Sequence, residues 1–104
     1  MIKKYRVSKD SDTYLIPVIE RYANNDTLAV VLYTLDYEEY CVLTVNIGCS
    51  TNADVAVIDT NNYPWLLSYV LDNGLGELTG RYRCSGFCEY PEVKFNLMKL
   101  NEEI

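Results

Sequence analysis

Three stretches rich in Tyr, Val, Ile, Leu and Thr, at residues 14–22, 28–35 and 40–47, follow one another with only short polar connectors between them. β-Branched and aromatic side chains suit a pleated, half-buried surface, so each stretch reads as a strand. Ala23-Asn24-Asn25-Asp26 supplies residues that tolerate left-handed backbone, and Asp36-Tyr37-Glu38-Glu39 is an acidic connector of hairpin length. The first half is therefore predicted to be an antiparallel meander, with residues 5–7 as a further short strand. Along 40–47, Cys41, Leu43, Val45 and Ile47 share one face and Tyr40, Val42, Thr44 and Asn46 the other. One of those faces must pack on something.

The partner is a helix predicted over residues 63–72. Asn61 or Asn62 is placed to cap it, Pro64 suits its first turn, and Asn73-Gly74 supplies the left-handed residue that ends helices. Leu66, Leu67, Val70 and Leu71 recur at three- and four-residue spacing and form the expected buried stripe. Trp65 and Tyr69 lie four apart on an adjoining face, where they either flank the core or form an exposed contact pair. After the helix, Gly74, Gly76, Gly80 and Gly86 point to tight turns around a strand near 81–84. A short strand at 93–96 and a helical tail from Leu97 complete the prediction. Pro91 places 89–92 in a turn or at a sheet edge. The expected fold class is α+β, an antiparallel meander sheet packed against one main helix.

A chain of 104 residues with 49% apolar side chains supports one core, so one domain over 1–104 is expected, with a shallow working surface. No stretch reaches the roughly 18–20 apolar residues of a membrane span, and Met1-Ile2-Lys3-Lys4-Tyr5-Arg6 leads into polar sequence instead of an apolar signal core. A cytoplasmic location follows as the expectation. There, thiols are held reduced, which favours free Cys41, Cys49, Cys84 and Cys88 over disulfides. Their spacing also departs from the paired C-x2-C pattern of zinc sites, so neither metal nor cofactor is expected.

Charge is distributed unevenly. Lys3, Lys4, Arg6 and Lys9 crowd the start, yet between Arg21 and Arg81 every charged residue is acidic, within a net charge of −6. Acidic turns keep a small protein in solution. The sharper reading is a negative field that steers a basic protein partner, such as a nucleic-acid-binding protein. Direct nucleic-acid binding is disfavoured because phosphate neutralisation needs a basic stripe.

Catalysis has little to work with. Without histidine, the Ser-His-Asp and Cys-His arrangements are excluded. Asp59, beside Asn61 and Asn62, is open to carboxylate chemistry but reads better as a strand-to-helix turn. Cys84-Ser85-Gly86-Phe87-Cys88 offers a thiol pair, near Arg81 and Arg83, without the C-x-x-C spacing or helix start of redox sites.

The segment Ser85-Gly86-Phe87-Cys88-Glu89-Tyr90-Pro91-Glu92-Val93-Lys94-Phe95-Asn96-Leu97 resembles the SGFCxYPxxxFxL signature of a family of small bacterial proteins of unknown function. Such proteins are often encoded on phages and conjugative elements. Leu43-Thr44-Val45-Asn46, Asp59 and Leu75-Gly76 extend the likeness over the last two-thirds of the chain, while residues 1–25 match nothing in it. The resemblance carries no catalytic residues. It implies a setting in which short acidic proteins block host defence nucleases.

Together these readings make the chain a non-enzymatic, anti-CRISPR-like binder of a basic host defence protein, with no nucleic acid or membrane partner. The expected contact residues are Asp36, Glu38, Glu39, Asp54, Trp65 and Tyr69. The alternatives are a subunit that self-associates through an apolar or aromatic surface, and a small enzyme using Asp59 or Cys84 and Cys88.

Overall fold

The computed structural model describes residues 4–8, 12–22, 27–46 and 54–100. The expected turn at 23–26, the strand end at Ile47, and Lys3, Lys9 and Cys49 lie outside them. The described residues form two four-stranded antiparallel sheets. The first runs in the order β1 (Tyr5–Arg6), β2 (Tyr14–Arg21), β3 (Leu28–Tyr33), β4 (Glu39–Val42). This is the predicted meander. The second has the order β5 (Thr44–Val45), β6 (Val55–Ile58), β8 (Cys88–Phe95), β7 (Gly76–Ser85).

The expected single strand over 40–47 is instead two strands in two sheets. At Leu43 the chain changes partners: its N–H donates to the Val30 carbonyl at 2.8 Å, and its carbonyl accepts from Asp59 N–H at 3.0 Å. Leu43 is fully buried and links the two sheets. Thr44, on the opposite face from Leu43 by strict alternation, is also buried, where its Oγ1 accepts from Val30 N–H and meets the Tyr22 hydroxyl at 3.0 Å.

A bulge interrupts the ladder just upstream. Leu32 pairs with Cys41 but Tyr33 pairs with Glu39, so Tyr40 is an extra residue on β4. Bulges re-aim side chains. Here Tyr40, expected opposite the Cys41 face, turns toward the helix, its ring centroid 6.2 Å from that of Trp65.

The helix α1 (Leu66–Asp72) is shorter than predicted and buries Leu66, Tyr69 and Val70. Leu67 is half-buried and Leu71 is exposed, so the expected stripe is displaced around the axis. Tyr69 causes the shift: its hydroxyl donates to the Leu15 carbonyl at 3.1 Å, which allows a polar tip inside the core. At the other end the prediction holds. Gly74 has φ +67°, Leu75 N–H donates to Val70 O and Gly74 N–H to Leu71 O, the two bonds of a Schellman cap, with buried Leu75 and Val70 making its apolar contact.

Pro91 lies in β8, a central strand, against expectation. The β6 ladder ends at the Val57–Glu92 pair, so the missing N–H of Pro91 costs no bond on that side. On the other side β7 and β8 form a long hairpin turning at Gly86-Phe87. The last helix, α2 (Leu97–Leu100), is capped by Asn96, whose Oδ1 accepts from Lys99 N–H. The core joins Leu15, Leu28, Val30 and Leu32 of the first sheet to Ile58, Val93 and Phe95 of the second, with α1 packed against them. Burying each such aliphatic side chain contributes roughly 1.5–3 kcal/mol. The described residues are α+β but mostly sheet, with two short helices in place of one main helix. Among the described residues no helix is long and apolar enough to cross a membrane.

Candidate functional site

The bulge at Tyr40 brings together two features far apart in sequence. The acidic connector, with Asp36, Glu38 and Glu39 all exposed, leads directly into Tyr40. Its turn is tight: Tyr37 N–H donates to Thr34 O, Thr34 N–H donates to Glu38 O, and Tyr37 takes φ 64°. Across from it, half-buried Trp65 is the hub of an aromatic cluster. Tyr40, Tyr63 and Tyr69 stand edge-on to it, with centroid distances of 6.2, 6.3 and 6.2 Å and interplanar angles of 63, 71 and 86°. Tyr40 keeps 53% of its surface exposed and Tyr37 66%, so exposed aromatic rings are interspersed with exposed carboxylates along residues 36–40.

Asp59 sets the approach to Trp65. Its Oδ1 accepts from Asn62 N–H, its Oδ2 from Asn62 Nδ2, and its carbonyl from Tyr63 N–H at 3.0 Å. The turn expected at Asp59-Thr60-Asn61-Asn62 is present, although Asp59 is the acceptor, and Trp65 at the helix start has no side-chain cap. The charges of Asp59 and Glu39 both reach the Cys41 thiol. Together with burial, which is the larger cause, they push it up to about 11, so Cys41 is a protonated, unreactive core thiol at neutral pH.

Two expected contact residues fall elsewhere. Tyr69 is fully buried, so no exposed Trp65–Tyr69 pair exists; Tyr69 supports Trp65 from beneath. Asp54 lies before β6, where its carbonyl accepts from Phe95 N–H at 2.7 Å. It lines an open cleft of about 670 Å³ with Leu71, Glu77, Lys94, Leu97 and Met98, a mixed-charge surface.

The thiol pair is divided by strand register. Cys84 pairs with Glu89 and Cys88 with Ser85, so the two occupy successive pairs and opposite faces of the hairpin. Cys88 instead neighbours Tyr90 two residues along the same strand face, and its influence is the main reason the Tyr90 phenol is pushed up.

Glu92 is the chemically notable residue that sequence reasoning missed. It is 4% exposed, beneath a second bulge where Leu78 pairs with Val93 but Tyr82 with Pro91. Within that bulge Gly80 takes φ +89°, which admits glycine far more readily than other residues. Glu92 Oε1 accepts from Thr79 Oγ1 and Oε2 from Arg83 Nε, both at 2.9 Å. Burial pushes the carboxyl up. The Arg83 and Thr79 hydrogen bonds, with the Arg83 and Arg81 charges, outweigh it and hold the carboxyl below its ordinary range. Both carboxylate oxygens are thus engaged internally.

The fold and this face define a small, sheet-rich α+β domain that exposes an acidic and aromatic surface. The chain belongs to the DUF4313 family, a domain of unknown function, whose match covers residues 18–103. That match takes in the second half of β2 and all of β3, further toward the N-terminus than the last two-thirds covered by the motif resemblance. No curated protein and no solved structure matches the chain.

Proposed function

We propose that the protein is a non-enzymatic binding domain that captures a basic, nucleic-acid-binding host defence protein, in the manner of an anti-CRISPR protein. The observation that carries this reading is the union of the connector carboxylates with Trp65 through Tyr40. Aromatic residues supply interface affinity, and a one-signed rim speeds encounter with an oppositely charged partner. The absence of any Lys or Arg from Tyr22 to Gly80 lets the field of that face act without local neutralisation. The mobile-element setting implied by the SGFC motif supplies the biological context, and a cytoplasmic location accords with it.

Affinity capture from the native host, with wild type and the Asp36→Lys/Glu38→Lys/Glu39→Lys variant as paired baits, identifies the partner. Association kinetics at two salt concentrations then test the steering. The wild-type on-rate falls with salt, and the variant associates roughly tenfold more slowly at low salt. On-rates equal in both proteins and at both salts contradict the proposal.

A second reading, self-association, is favoured by the open edge strand β7, where Leu78 and Tyr82 are 46% and 58% exposed. Sedimentation across a hundredfold concentration range, on the order used for weak dimers, separates the readings. A monomer throughout removes this second one.

A further inference from the structure

Rings that stand edge-on around one indole do more than fill space when the group above them is open to solvent. Tyr40 and Tyr63 flank Trp65 at 63° and 71°, which makes two upright walls beside its half-buried ring system. Tyr69 closes the inner side and is locked by its bond to the Leu15 carbonyl. Glu39, exposed on β4, directly precedes the bulged Tyr40 and so brings a carboxylate to the edge of the cluster. An aromatic face with a neighbouring carboxylate is complementary to a cation.

We infer that Trp65, Tyr40 and Tyr63, with Glu39, form a receptor for an arginine side chain presented by the protein partner. The inference rests on the proposed function and specifies its anchor. Arginine fits better than lysine for two reasons. Its planar guanidinium stacks on an aromatic face while donating to carboxylates at its edge, and it is less strongly hydrated than an ammonium, so half-burial costs it less. Neither Lys4 nor Arg6 fills this role within the chain: both lie over the Tyr14 ring.

Trp65 is the sole tryptophan, so its fluorescence reports on the receptor directly. The probes are an acetylated, amidated peptide of alternating glycine and arginine and its lysine counterpart of equal length, each titrated into the full chain and followed by fluorescence and calorimetry. The arginine peptide is expected to change Trp65 emission saturably and to bind about fivefold more tightly than the lysine peptide, the scale of an exposed cation–π contact. Tyr40→Leu abolishes the arginine preference and Tyr40→Phe retains it; Tyr40 is half exposed, so neither change threatens the fold. Equal affinities for the two peptides, or calorimetric binding with Trp65 emission unmoved, overturn the receptor. Salt-sensitive binding that vanishes in the triple charge-reversal variant still upholds the acidic face in that event. Failure of both peptides to bind at low salt overturns the receptor and the acidic face together.

Discussion

Among the described residues each sheet contains one bulge, and the two are put to opposite uses. On β4 the extra residue is Tyr40, which leaves the ladder half exposed beside Trp65, with Glu38 and Glu39 in water next to it. In β7 the residues around Gly80 arch over Glu92, and both oxygens of its carboxylate are engaged within the fold, by Thr79 Oγ1 and Arg83 Nε. A charged group fully engaged internally has nothing to offer a partner, whereas aromatic and acidic groups on an open face do. The buried carboxylate is therefore the structural one, and the exposed connector carboxylates are the candidates for binding.

Truncation gives the largest contrast. Arg83→Ala strands a buried carboxylate and costs about 3 kcal/mol, at the lower end for broken buried pairs because the Arg83 side chain is 31% exposed. Tyr40→Ala at the other bulge costs about 1 kcal/mol or less, the worth of one aromatic contact. Urea unfolding of both variants measures the difference. Equal costs would erase the distinction between a structural and a functional bulge.

A smaller effect follows from acid. The folded state holds Glu92 below its ordinary carboxylate range, so across the window between the folded and unfolded values the unfolded chain binds the proton more readily. The stabilisation from this group is complete above the unfolded value of ~4.3 and is lost as pH falls through the depressed folded one. Glu92→Gln removes this component of the acid sensitivity. Stability curves for the two proteins with the same slope below that value would show that Glu92 is not held ionised by Arg83.

Much of this division is invisible along the chain, for identifiable reasons. The meander, the long strand from Tyr14 and the Asn73-Gly74 helix stop were legible because local periodicity and turn chemistry set them. The bulges were not, since an inserted residue leaves the composition of a strand unchanged and only the partner's register exposes it. Pro91 fits a central strand only because β6 stops short of it, a tertiary fact. Glu92 was placed in a turn or at a sheet edge on account of Pro91, and its partner Arg83, across the hairpin, is not adjacent in sequence. Trp65 and Tyr69 were read as one pair from four-residue spacing, yet the backbone carbonyl of Leu15 draws Tyr69 inside and leaves Trp65 at the surface layer. The acidic connector was visible from sequence; its meeting with Trp65 through Tyr40 was not.

Isotope-labelled amide spectra, recorded while the arginine peptide is titrated into the full chain, compare the two bulges in a single measurement. Shifts confined to residues 35–42 and 59–66, with the hairpin around Gly80 and Glu92 unmoved, are the predicted result. Shifts centred on β7 and β8, with the Tyr40–Trp65 face silent, would contradict it.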